Sequence, residues 1–237
     1  MKSWLPWRKI LVPSHFQLHL GCGNFAPEGW LNCDGSWHAW LSRHPRFRKM
    51  LLLVGWLPKE HDPWPETILR LDLRKPLPFA SNTFVAVYSS HMLEHLYRNE
   101  ALALLREIHR CCRKGAIVRF VIPNLAKDLA DYQQGLISPT SPAPTPADSL
   151  MAALHLRPSC SPTERFGMRT LYHLLLDFNS HKWLYDQTSL MRLFQEAGFA
   201  HPTPMDILAS RIPEIDRIER PERLGGTASL IMEAVRE

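Results

Sequence analysis

The residues best placed by type and spacing to do chemistry are Gly21 and Gly23, within LHLGCGN at Leu18–Asn24. They close a short apolar run, Phe16–Leu20, of the kind that forms a buried parallel strand. At the end of such a strand, glycine permits a close backbone approach that any Cβ would block. In an open α/β sheet, the carboxyl edge is where ligands bind. Asp34 ends the next run, Trp30–Asp34, where a carboxylate can accept hydrogen bonds from both ribose hydroxyls. Asp72 and Leu73 end a third run, Ile68–Leu73, and suit an adenine edge and face. Three strand ends thus each offer one part of a nucleoside site.

A dinucleotide site is the competing reading, and the spacing argues against it. That fingerprint needs G-x-G-x-x-G, a helix whose N-terminus receives a pyrophosphate, and an acid about 20 residues on. Here position 26 is Ala26, followed by Pro27, and Asp34 comes too early. Only FAPEG separates the glycines from the second strand, which leaves little room for a crossover helix. A cofactor without a pyrophosphate does not need that helix end.

The elements that must position these residues follow from the apolar pattern. Thr83–Tyr88 reads as a fourth strand, and Asn99–Cys111 as an amphipathic helix carrying Leu102, Leu105 and Ile108. Lys114–Gly115 then turns the chain into a β-branched strand, Ala116–Ile122, closed by Pro123. Further helices are expected from about Thr163 to Phe178 and over Gln187–Ala197. The terminal runs Pro204–Ala209 and Ala228–Val235 suggest an antiparallel hairpin at the sheet edge. Alternating strands and helices make the fold class α/β: a mostly parallel sheet in a three-layer, Rossmann-like sandwich. One domain over residues 1–237 is expected, with a Trp-rich insertion at about 35–66 and a Pro-rich loop at about 137–147.

Composition narrows the class of partner. Hydrophobic residues are 45% and charged residues 22% of the chain, ordinary values for a folded domain. A formal charge of +5 is mildly basic, yet no Lys/Arg block of the length a nucleic-acid patch needs is present, so no nucleic-acid partner is expected. Five cysteines without a CxxC pair fit neither a disulfide framework nor a structural zinc site. A reduced, cytoplasmic setting follows as the default, with Cys111 and Cys112 read as partly buried thiols at a helix end. The segment MKSWLPWRKILVPSHF is too short in apolar stretch for a membrane span. Its Trp4, Trp7 and Ile10–Val12 could rest on a membrane interface, although an ordinary docked segment is the favoured reading.

With those residues in place, the chain resembles class I S-adenosylmethionine-dependent methyltransferases, and specifically the type 11 group. The stretches that carry the resemblance are LHLGCGNFAPEGWLNCDGS, LDLRKPLPFASNTFVAVYSSHMLEHL and LLREIHRCCRKGAIVRFVIPNL, with HKWLYDQTSLMRLFQEAGF and SLIMEAVRE near the end. The resemblance implies S-adenosyl-L-methionine as cofactor. Gly21, Cys22 and Gly23 would then form the loop beneath its methionine part. Asp34 would bind the ribose, Asp72 and Leu73 the adenine, and Ser89 would face the sulfonium. His91, Glu94 and His95 match the SSHxLEH stretch beside the transferring methyl. The chain departs from the family where a third glycine is common, having Phe25 there, and it has Arg113–Ala116 where KPGG is usual.

Methyl transfer from a sulfonium is an in-line displacement, and the protein supplies mainly approach geometry. A hydroxyl acceptor would also need a general base. His91 and His95 are the candidates for catalysis, while Glu94, His181 and Tyr185 are candidates for the acceptor side. Glu94 and His95 have a structural alternative, as a helix-start pair satisfying backbone donors. His181, in HKWLYD, has one too, as part of a packed helix–loop junction. No metal is expected, since no ligand-like spacing calls for one. The acceptor suggested by a free-standing domain is a small molecule, a glycan or a lipid-linked compound. The aromatic stretch from Trp30 to Trp64 reads either as a cap over that acceptor or as a satellite core, the latter slightly favoured. The alternative to an enzyme is an inactive subunit of the same fold that binds cofactor or a partner.

Overall fold

A computed structural model of the chain describes residues 16–55, 64–137, 145–155, 180–224 and 229–237. Seven strands form one sheet: β1 (Phe16–Leu20), β2 (Trp30–Asp34), β3 (Leu69–Arg70), β4 (Phe84–Ser90), β5 (Cys112–Pro123), β6 (Ala200–Pro204) and β7 (Ser229–Val235). Their order across the sheet is β3-β2-β1-β4-β5-β7-β6. β1 to β5 are parallel, and β7 runs antiparallel to both β5 and β6. The Rossmann-like sheet with an antiparallel terminal pair is therefore the fold of the chain.

Alternation along the central strands divides the core into two faces. Phe84 and Val87 of β4 join Leu18 and Leu20 of β1 in the larger cluster. Ala86 and Tyr88 face the other way, with Trp30, Val121 and Ile231. The larger face is covered by α3 (Arg98–Cys111), which buries Ala101, Leu104, Leu105, Ile108 and Cys111, and by α6 (Gln187–Glu196), which buries Leu190, Leu193 and Phe194. At about 1.5–3 kcal/mol per fully buried Leu or Ile, these two stripes are what hold the helices to the sheet. α6 starts at Asp186, whose carboxylate accepts the Ser189 N–H at 2.7 Å. Gly198 ends it with φ +99°.

Across the second face lies the irregular segment 205–224, with Ile212, Ile215, Ile218 and Leu224 buried against the sheet. That segment is held by a polar knot. Arg119 of β5, fully buried, donates to Glu219 at 2.7 and 2.6 Å and to Glu233 at 3.0 Å. Its two remaining N–H groups donate to the Ala209 and Asp206 carbonyls.

Several expected elements differ in extent. β3 is limited to Leu69–Arg70 rather than Ile68–Leu73, because it is an edge strand that pairs only with Cys33 and Asp34. β5 begins at Cys112, so Lys114–Gly115 is no turn. Instead the register against β4 slips between Phe84 and Ala86, and Gly115 takes φ +82°. The run expected at Pro204–Ala209 lies earlier, at Ala200–Pro204, because Met205 and Ile207 turn into the second cluster instead. Cys111 and Cys112 are fully rather than partly buried.

The Trp-rich stretch contains α1 (Trp37–Ser42) and α2 (Pro45–Leu53), with Leu41 and Leu51 buried beneath Trp37, Trp40 and Leu52. α4 (Leu125–Ile137) and α5 (Pro146–Leu154) follow β5. The expectations for the basic N-terminal segment, for a helix at Thr163–Phe178 and for positions 138–144 of the Pro-rich stretch fall outside the described residues. Among the described residues no helix is long and apolar enough to cross a membrane.

Candidate functional site

The carboxyl end of β1 delivers the glycine loop. Gly21 adopts φ +66° and Gly23 φ +59°, a region that favours glycine. A Cβ on Gly21 would stand 2.5 Å from Met92 Cγ, so no side chain fits between the loop and the segment after β4. The loop runs to β2 through turns alone, as the short FAPEG spacing requires, and the Cys22 N–H donates to the Cys33 carbonyl at 3.2 Å.

Asp34 holds that loop. Its Oδ2 accepts the Gly23 N–H at 2.9 Å and its Oδ1 accepts the Ser36 N–H at 2.7 Å. Two backbone donors use about half of a carboxylate's acceptor capacity, so two hydroxyls can still be taken. Its main-chain carbonyl also accepts the Leu71 N–H at 3.1 Å, which brings the end of β3 alongside. There Asp72 is gripped by Arg74, with Nε to Oδ1 at 2.8 Å and Nη2 to Oδ2 at 3.1 Å. The Arg74 guanidinium holds the Asp72 carboxyl below the usual carboxylate range. Leu73 points into the main core and is 8% exposed. Sequence reasoning missed Ser36, although Asp-Gly-Ser is a legible turn in which the aspartate accepts a hydrogen bond from the residue two positions on.

The end of β4 supplies Ser89, which is buried with its Oγ lacking a hydrogen-bond partner among the described residues. The chain then enters a 3₁₀ turn, Leu93–His95. His91 takes φ +49°, with its N–H donating to the Val121 carbonyl at 2.9 Å and its Nε2 3.4 Å from Ser229 Oγ. Glu94 is fully buried, and neither carboxylate oxygen has a hydrogen-bond partner among the described residues. Among the described residues its side chain therefore satisfies no backbone donor, as the helix-start alternative would require. His91 Nδ1 is 3.3 Å from Glu94 Oε1, near enough for an ion pair.

Residues distant in sequence close over this turn. The Glu94 carbonyl accepts the Lys182 and Trp183 N–H groups at 2.7 and 3.2 Å. That contact places the His181 ring centroid 5.1 Å from that of His95. His95 Nδ1 lies 3.3 Å from the Ser180 carbonyl. Burial lowers the His181 pKa from its ordinary value, although nearby Glu94 acts in the opposite direction. Tyr185 pairs with Asn124 after β5, and its buried hydroxyl has no partner among the described residues. Desolvation raises that hydroxyl's pKa, leaving it a neutral O–H.

Sequence reasoning also missed His155, just past α5. Its ring centroid is 5.2 Å from that of His181, and its carbonyl accepts the His181 N–H at 3.1 Å. No local spacing relates positions 155 and 181, so no sequence signal could have joined them.

The structure thus gathers Gly21, Cys22, Gly23 and Asp34 into one group. It gathers His91, Glu94, His95, His181 and Tyr185 into a second, and Met92 packs between them. Asp72 and Leu73 stand apart at the β3 end. A cavity of about 320 Å³ lined by Phe16, Gln17, Glu28, Trp30 and Arg217 lies at the opposite, amino-terminal edge of β1 and β2. It contains none of these residues.

Residues 18–120 match a family model described as "Methyltransferase domain". Among solved structures, an S-adenosylmethionine-dependent methyltransferase from Mesorhizobium loti is 18% identical with a TM-score of 0.44, over 98% of this chain and 94% of that one. A second, from Archaeoglobus fulgidus, is 13% identical with a TM-score of 0.43, over 97% and 88%. A comparison with curated proteins gives no match.

Proposed function

Taking residues 18–120 as a methyltransferase domain, we propose that this chain transfers a methyl group from S-adenosylmethionine to a small-molecule, glycan or lipid-linked acceptor. The observation that carries the proposal is Asp34. It ends β2, stands against the glycine loop through the Gly23 N–H, and keeps acceptor capacity for two ribose hydroxyls. The residues fit the cofactor in two further respects. The Gly21 turn excludes a side chain, and the buried Ser89 Oγ at the end of β4 lacks a partner among the described residues.

When bound, the cofactor supplies an electrophilic methyl on a sulfonium. The chain's own contribution is position. Gly21, Cys22 and Gly23 would form the floor beneath the methionine part, Asp34 would orient the ribose, and Asp72 would bound the adenine with Leu73 buried behind it. His91 or His95, at the turn that packs over Gly21 through Met92, would take the proton from an acceptor hydroxyl. Glu94, His181 and Tyr185 form the acceptor wall, where burial keeps water away from the reacting atoms. The alternative of an inactive subunit gains no support from this arrangement.

Calorimetry with S-adenosylhomocysteine tests the reading, with NAD as control. The wild type should bind the first and not the second. Asp34→Ala should weaken binding by at least about tenfold, the loss expected for hydrogen bonds to a charged group. Folded wild-type protein that binds neither compound would end the proposal.

A further inference from the structure

Glu94 combines two properties that rarely coexist. It is fully buried, and both oxygens lack a hydrogen-bond partner among the described residues. A carboxylate in that state is strongly disfavoured unless a cation answers it. His91 Nδ1, at 3.3 Å, answers one oxygen only in part, since the contact is an ion-pair approach without hydrogen-bond geometry.

We infer that Glu94, His95 and His181 form a binding site for a divalent first-row transition-metal ion. One ligand atom from each lies within 4.8 Å of the others. Ligands of a tetrahedral ion stand about 3.4 Å apart, so the side chains would close in by about an ångström.

The surrounding hydrogen bonds select the ligand atoms. His95 Nδ1 is positioned to donate to the Ser180 carbonyl, which leaves Nε2 as a lone pair directed elsewhere. A ring N–H donated to a backbone carbonyl is the usual support of a metal-bound histidine. The buried Nδ1 of His181 has no partner among the described residues and so is the nitrogen left for an ion. Two imidazoles and one carboxylate favour Mn²⁺, Fe²⁺, Co²⁺ or Zn²⁺ over Ca²⁺, which takes oxygen ligands. His91 and His155 lie beside the trio, His91 Nδ1 at 3.3 Å from Glu94 Oε1 and the His155 ring centroid at 5.2 Å from that of His181. The expectation of no metal was drawn from spacing along the chain, and these ligands meet only through the contact of residues 181–183 with the 3₁₀ turn.

The site shares no residue with the Asp34 group, so the inference stands or falls apart from cofactor binding. The test uses the full chain, stripped with a chelator and titrated with Co²⁺ or Mn²⁺ alone. The expected result is stoichiometric binding, with visible Co²⁺ bands characteristic of nitrogen and oxygen ligands. Glu94→Gln and His181→Ala should each weaken Co²⁺ binding by more than about tenfold. Both should keep the wild-type far-UV spectrum and S-adenosylhomocysteine binding. If either variant fails to fold, the wild-type titration still decides. No Co²⁺ binding by folded wild type overturns the inference, as does binding undiminished in His95→Ala/His181→Ala.

Discussion

Glu219 and Glu94 are both fully buried carboxylates at the same sheet, yet their surroundings are opposites. Glu219 lies under the 205–224 segment and receives the Arg119 fork and the Leu208 N–H at 2.7 Å. Its neighbour Glu233 is met by Arg119, Ser210 and Arg211. All five N–H groups of Arg119 are used, as a low-dielectric interior requires of a buried ion group. Glu94, beside the glycine loop, has no hydrogen bond to its oxygens among the described residues. A satisfied buried network rigidifies one packing. An unsatisfied one calls for its own explanation, in stored strain, a catalytic role or a bound water or ion.

Breaking the satisfied network should have the largest effect on stability. Arg119→Met strands two buried carboxylates and should cost about 3–5 kcal/mol, read as a shift in urea midpoint. Glu94→Gln removes a buried charge that His91 answers only in part and should cost less than about 1 kcal/mol in the same assay. Equal losses for the two variants would erase the distinction drawn between them.

Asp34→Asn comes next, because it sharpens the boundary between structural and ligand-binding polar groups. Its side chain keeps one acceptor oxygen, so one of the two backbone hydrogen bonds is lost, about 1–3 kcal/mol if that donor is left unsatisfied. A thermal melt in the absence of ligand checks this. An unchanged melting temperature would mean that the Gly23 and Ser36 contacts contribute little.

A half-exposed pair should behave differently from either buried group. Glu107 accepts from Arg110 and from the Leu77 N–H, and the Arg110 hydrogen bond lowers its pKa. A folded-state pKa below the unfolded one stabilises at pH values above the unfolded value, and that contribution is lost as pH falls through the folded one. The stability gap between wild type and Glu107→Gln should therefore be full at pH 7 and shrink below the ordinary glutamate value of about 4.3. A gap that stays constant down to pH 3 would contradict the assignment.

The smallest effect is an absence of reaction. Burial pushes the Cys111 thiol up to about 11 and the Cys112 and Cys33 thiols up as well. Native protein held with iodoacetamide at pH 8 should leave these three unmodified on peptide mapping, and rapid labelling of any one would show that its surroundings open.

Much of the first group was legible in the sequence because its determinants are local. An apolar run ending in G-x-G, and another ending in Asp34, place their functional atoms at strand ends whatever the rest of the chain does. α3, α6 and β7 were legible for the same reason, their apolar periodicity being carried within each element. β3 and β6 were less so, since an edge strand extends only as far as its neighbour pairs with it. Met205 and Ile207 look like strand residues, but they pack into the second cluster.

The sequence by itself determined the parallel sheet, the glycine loop and the place of Asp34 at a strand end, because each depends on residues a few positions apart. Only the tertiary structure decided that Glu94, His95 and His181 meet, that His155 joins them, and that Arg119 is answered by Glu219 and Glu233. Those groupings depend on which loops fold over which strand ends. Long-range packing sets that arrangement, and no local spacing records it.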